Sequence, residues 1–223
     1  MNFTEQSTCV IVGGYTGIGR ALADALRERP GRVLVASRRS GLDVTDPSAV
    51  ERYFEAIGTI DHLIFTAGSQ APGGQLLDMD LSTARAAFDT KFWGSLAVAK
   101  VGARYLRAGG SLTLTSGFLA RRAVPGTFVK TAMNAALEAV AKVLARELAP
   151  DILVNAIAPG PVDTDMTSIE HMSEEALAKD LNSPLARFGS PHDIAAMAAF
   201  LAGPQAGFIT GQCFGVNGGS VMP

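Results

Sequence analysis

Apolar, strand-like runs alternate with helical patterns along the whole chain, and that alternation constrains the fold more than any other feature. "TCVIVGG" reads as a buried first strand, and in "GIGRALADALRE" Ile18, Ala21, Leu22, Ala25 and Leu26 share one helical face. "RVLVAS" is a second strand. "DPSAVERYFEAI" opens a helix, with Asp46 at the N-cap and Pro47 at the first helical position. The strand "IDHLIFTAG" follows, then a helical pattern over about Leu81 to Leu106, then the strand "SLTLTS". A helix within "RAVPGTFVKTAMNAALEAVAKVLARELAP", the strand "ILVNAIAPG", the helix "PHDIAAMAAFLA" and the strand "GQCFGVNGG" complete the order. Strands separated by helices pair in parallel and are covered on both faces. The 223 residues show no repeat, low-complexity run or linker, so one α/β domain over residues 1–223 is expected.

Only "SRRSG" separates the second strand from "LDVTD". A parallel crossover needs a dozen or more residues. "LDV" is therefore not a strand reached over a helix. One edge βα unit is expected to be deleted, with the chain turning directly into the helix at Asp46 and the central sheet left intact.

Composition narrows the function. Hydrophobic residues make up 48% and charged residues 18%, which supports a packed core and argues against disorder. The net charge of −2, with no basic block, argues against nucleic-acid partners and a polybasic membrane anchor. No apolar run is long enough to span a bilayer, and "MNFTEQS" lacks an apolar signal core. Cys9 and Cys213 lie far apart in strand-like stretches and read as free thiols in a reducing cytoplasm. Three histidines and two cysteines are scattered, so no metal site is expected.

"VIVGGYTGIGRAL" places Gly13, Gly17 and Gly19 between a strand and a helix. Such a turn lets a pyrophosphate approach the backbone and exposes N–H groups at a positive helix end. Gly13, Tyr15, Thr16, Gly17, Ile18 and Gly19 are the expected contacts. The plainer alternative is that the glycines only tighten the turn. The spacing Gly-x-x-x-Gly-x-Gly resembles that of the short-chain dehydrogenase/reductase family, with Val12 where the family has threonine. The resemblance continues through "TAG" at Thr66–Gly68, "VNAIAPGPVDTDM" at Val154–Met166, "RFGSPHDIAAMAAFL" and "FITGQCFGVNGG". It implies a Rossmann-like, doubly wound fold and an oxidoreductase acting on a small-molecule substrate. It also implies a homodimer or homotetramer.

The end of the second strand, Ala36-Ser37-Arg38-Arg39, carries no acid to meet a ribose 2′-hydroxyl. An arginine fork suits a 2′-phosphate instead. NADP(H) is therefore expected over NAD(H), with Arg38 the first phosphate reader and Arg39 the second; a solvated arginine pair is the alternative. By resemblance, Asp43 meets the adenine amino group, Val44 the ring edge, and Ala67 and Gly68 line the wall. Pro159 and Gly160 cradle the nicotinamide, and Thr164 with the backbone of Val162 holds its carboxamide.

The family's catalytic set is asparagine, serine, tyrosine and lysine. Here "KTAMNAALEAVAKVLAREL" aligns with the family helix without a gap, which puts Lys130 at the tyrosine position and Asn134 at the lysine position. "FDTKFWGS" puts Lys91 at the asparagine position. Ser116 is expected at the serine position, with one residue inserted before Lys130. Lys91 and Asn134 look like an exchange across two packed helices; the alternative is drift in a site without chemistry. Lys130 acts as acid or base if its pKa falls toward neutrality, or else faces solvent or pairs with an acid. Arg121 and Arg122 either face the site or lie on the surface. Met166, Ile169 and Met172 are expected to line an apolar substrate pocket or a small surface helix, and His171 is not persuasive as a catalyst.

Two functions compete at this level. One is an NADP(H)-dependent oxidoreductase with a rebuilt acid/base site, acting on a carbonyl, imine or activated alkene. The other is a dinucleotide-binding pseudoenzyme that serves as a sensor or partner subunit.

Overall fold

A computed structural model describes residues 3–68, 71–165, 167 and 183–222. The expected pocket residues Met166, Ile169 and Met172, and His171, lie outside the described residues. Six parallel strands form one sheet in the order β2-β1-β3-β4-β5-β6. They are β1 Thr8–Val12, β2 Arg32–Ala36, β3 Ile60–Phe65, β4 Leu106–Thr115, β5 Ile152–Pro159 and β6 Cys213–Val216. The helices are α1 Gly17–Arg27, α2 Pro47–Ile57, α3 Leu81–Phe88, α4 Gly94–Gly102, α5 Phe128–Glu147 and α6 Pro191–Leu201.

Side chains on successive strand residues point to opposite faces. Val10 and Val12 accordingly join a core with Val98, Leu137 and Ala141, under α4 and α5. Cys9 and Ile11 join a second core with Leu22, Leu26, Ile194 and Ala198, under α1 and α6. Both faces are thus closed by helices, as the alternation of elements requires.

The edge deletion is present. After β2 the chain makes one 3₁₀ turn, Arg38–Ser40, and Gly41 takes a left-handed conformation at φ 83°. Leu42 and Val44 bury against the core without forming a strand. Asp46 then caps α2, its carboxylate accepting from the Ser48 N–H at 2.9 Å. β2 is left as the sheet edge.

The long helix expected over Leu81 to Leu106 is divided. A π turn, Asp89–Trp93, separates α3 from α4, and the helix stops at Gly102. Leu106 belongs to β4, where it pairs with Ile60. Cys9 and Cys213 are both free thiols. Among the described residues, no helix is long and apolar enough to cross a membrane.

Candidate active site

A cleft of about 660 Å³ opens at the carboxyl ends of β1, β2 and β3. Its floor is the turn Gly13–Gly19, and Tyr15, Thr16, Gly17 and Ile18 all line it. Thr16 caps α1 without a side-chain hydrogen bond, and the first turn of α1 carries no acid. The first N–H groups of the helix are therefore open to a ligand, at the positive end of the helix dipole. A Cβ on Gly19 would collide with the Gly13 carbonyl and come within 2.5 Å of Thr66 Oγ1. The turn folds this tightly because no side chain stands there.

Arg38 and Arg39 stand at the outer end of the cleft beside Ser37. Ser37 and Ser40 cap the 3₁₀ turn reciprocally, with the Arg39 N–H donating to Ser37 Oγ at 3.1 Å and the Ser37 N–H to Ser40 Oγ at 2.9 Å. The Arg39 guanidinium sits 5.9 Å from the centre of the Tyr15 ring. Asp43 and Val44 line the adjoining wall with Leu42 and Thr45. Hydrogen bonds from the Thr45 hydroxyl and N–H, with a smaller contribution from the Arg38 charge, hold the Asp43 carboxyl below its ordinary range.

Thr66, Ala67 and Gly68 form the wall after β3, and Thr164 and Asp165 close the opposite side. Thr164 lies directly over Gly17. Three expected contacts stand outside the cleft lining. Pro159 ends β5 in the core, Gly160 packs against Asn217, and Val162 is buried with its carbonyl accepting from Thr167 Oγ1 at 2.6 Å.

Beyond Thr90, at the inner end of the cleft, the π turn presents Lys91. Such single π turns recur at functional positions because they re-aim a side chain within an otherwise regular helix. Lys91 Nζ donates to Asn134 Oδ1 at 2.7 Å and to the Ser116 carbonyl at 2.8 Å. No carboxylate pairs with it among the described residues, and burial lowers its pKa to about 8. The two exchanged residues are thus in direct contact. Lys130 lies one helical turn before Asn134, on the same side of α5. It is partly buried and has no hydrogen-bond or ion-pair partner among the described residues.

Ser116 does not stand where it was expected to act. Its hydroxyl is buried and donates to the Asn134 carbonyl at 3.2 Å and to Glu138 Oε1 at 3.0 Å, away from the cleft. Arg121 completes that network through Glu138 Oε2 at 2.9 Å, so it is engaged behind the site. A Cβ on Gly117 would lie 2.8 Å from Asn134 Nδ2, so the asparagine occupies the room a side chain would take. Sequence reasoning missed Ser37, Thr45 and Thr90 in the cleft and Gly117 and Glu138 behind it. The Ser-x-x-Ser and Asp-x-Thr spacings were visible signals for the first two; Glu138 gave none beyond its place on an otherwise apolar helix face.

Comparisons with known proteins give the family and the fold. The family model described as enoyl-(acyl carrier protein) reductase matches residues 21–221. The chain belongs to the short-chain dehydrogenase/reductase family. Carbonyl reductase family member 4 of Danio rerio is 32% identical over 94% of this chain and 96% of its own. The 3-oxoacyl-(acyl-carrier-protein) reductase of Escherichia coli is 32% identical over the full length of both. A small-chain dehydrogenase solved in complex with NADPH is 46% identical, with a TM-score of 0.88 over 96% of this chain and 98% of that one. This short-chain dehydrogenase/reductase is an oxidoreductase, and its cleft suits a nicotinamide dinucleotide: open N–H groups for the pyrophosphate and a glycine floor that no Cβ fills.

Proposed function

We propose that this protein is an NADP(H)-dependent oxidoreductase with a rebuilt acid/base site, acting on a small carbonyl, imine or activated alkene. The observation that carries the rebuilt site is the 2.7 Å bond between Lys91 and Asn134. Both residues differ from the family pattern, yet they differ as partners. The preference for NADP(H) rests on Arg38 and Arg39 at the end of β2, where no acid stands. It is also supported by the NADPH bound in the relative of 46% identity.

The nicotinamide, when bound, supplies or accepts a hydride. The protein's part is to hold and to move protons. Arg38 and Arg39 offer guanidinium forks to a 2′-phosphate, and the amino end of α1 offers its N–H groups to the pyrophosphate. The Lys91 ammonium has three donors, two of them committed to Asn134 and Ser116. The third remains for a ribose hydroxyl or the substrate. With its pKa lowered to about 8, Lys91 exchanges its proton more readily near neutrality than an ordinary lysine does. Lys130 adds a second cation at the tyrosine position. Ser116 supports the Lys91 site through its carbonyl rather than orienting substrate. A homodimer or homotetramer in the cytoplasm is part of the same proposal.

Titration of the purified protein with NADPH and NADH, followed by nicotinamide fluorescence, tests the cofactor reading. NADPH is expected to bind tighter, and Arg38→Ala to remove most of the difference. Equal affinity for the two, or binding of neither, overturns it. A second reading, cofactor binding without turnover, is favoured by the inward Ser116 hydroxyl. It predicts tight NADPH binding, no NADPH consumption with any carbonyl, imine or enone offered, and no effect of Lys130→Ala. Turnover lost in Lys130→Ala or Lys91→Met at unchanged NADPH affinity decides for the enzyme.

A further inference from the structure

The outer end of the cleft holds an arrangement that the glycine turn and the arginine pair do not by themselves explain. Tyr15 is 39% exposed, an unusual setting for a large ring on a turn otherwise built of small residues. Its ring faces the Arg39 guanidinium at 5.9 Å, and both residues line the cleft with Arg38. The backbone under the two arginines is fixed by the reciprocal Ser37–Ser40 caps and by the left-handed Gly41. The Arg38 and Arg39 side chains are exposed, and neither has a carboxylate partner among the described residues. A long exposed arginine normally samples many rotamers, and an anion must immobilise it on binding. An aromatic face within about 6 Å restricts that sampling and leaves the N–H edge free, since the ring meets only the guanidinium plane.

We propose that Tyr15 is a positioning residue for cofactor selection: its ring holds Arg39 over the cleft, so that Arg38 and Arg39 together grip a 2′-phosphate. This rests on the NADP(H) reading above and adds to it a residue whose ring, not its hydroxyl, carries the effect. Toward the 2′-phosphate Tyr15 acts through Arg39.

The test uses 2′,5′-ADP (adenosine 2′,5′-bisphosphate) and 5′-AMP as probes on the full chain; the two differ only in the 2′-phosphate. In the wild type, 2′,5′-ADP binds tighter; equal affinity for the two probes overturns the cofactor reading and this inference with it. Where the wild type discriminates, Tyr15→Ala is expected to weaken 2′,5′-ADP by about two- to fivefold more than it weakens 5′-AMP, the strength of an exposed cation–π contact. Tyr15→Phe retains wild-type affinity for both. In an Arg39→Ala background, Tyr15→Ala adds no further loss. Full discrimination in Tyr15→Ala, an equal loss on both probes, or a loss that persists without Arg39 overturns the positioning role while leaving the NADP(H) reading in place. Thermal melts of each variant without ligand separate these outcomes from a folding defect.

Discussion

The two ends of this site are built from different material. The cleft over α1 takes its shape at the floor from backbone: the N–H groups that open the helix and the room left by glycines. The inner corner, where the π turn meets α5, is made of side chains. Side-chain changes in the cleft, Val12 and Thr66 among them, leave its geometry in place, with Thr66 Oγ1 donating to the Val12 carbonyl at 3.0 Å. In the corner, Lys91 Nζ donates to Asn134 Oδ1 at 2.7 Å, and Asn134 fills the space beside Gly117. A backbone-built site fixes the sequence mainly by forbidding side chains. A site built of side chains is open to revision, provided partners change together.

The largest expected effect lies in the backbone-built half. In Gly19→Ala the new methyl meets the Gly13 carbonyl, Thr66 Oγ1 and, at 2.8 Å, Gly14 Cα. Two of these three contacts are main chain and cannot swing aside. A loss of about 1–3 kcal/mol in urea unfolding is expected, as for other overpacked positions. NADPH affinity is expected to fall by at least about tenfold, or 1.4 kcal/mol. Unchanged NADPH binding would mean that the turn yields, and that the contrast between the two halves is wrong.

Gly117→Ser tests the corner. A side chain at Gly117 should damage this protein, because its Cβ would lie 2.8 Å from Asn134 Nδ2 and displace the partner of Lys91. About 1–3 kcal/mol of stability should be lost in the wild-type background. Much less should be lost in Asn134→Ala, where the clashing amide is gone. Equal losses in both backgrounds would show that Gly117 and Asn134 are not coupled.

The sequence was most legible where arithmetic or backbone chemistry rules. Five residues between β2 and "LDV" are too few for a crossover, and the edge unit is indeed missing. The glycine turn was readable for the same reason, since its spacing is set by backbone approach. Lys91 and Asn134 could be read as an exchange between two helices, but their direct contact was not foreseen. Nor was the orientation of Ser116. Strand periodicity ends with β4 at Thr115, and a one-residue slip sends a side chain to the opposite face. The π turn at Lys91 gives no compositional signal, and the Arg121–Glu138 pair joins residues 17 apart through a loop that no helix period relates.

A smaller effect, read from pH, tests whether Lys91 is a charged member of the corner. Burial lowers its pKa from 10.5 to about 8. Below about pH 8 the folded and unfolded chains both hold the proton, so this group adds no slope to stability. Between about pH 8 and 10.5 the unfolded chain still binds the proton and the folded chain does not. The free energy of unfolding therefore rises with pH across that window. In Lys91→Met the rise should vanish, leaving only the slope contributed by other groups. Urea midpoints at about pH 7, 8, 9 and 10 for both proteins read the difference directly. Parallel curves for wild type and Lys91→Met would place the ammonium in water rather than between Asn134 and Ser116. The proposal that Lys91 exchanges its proton from within the inner corner would then fail.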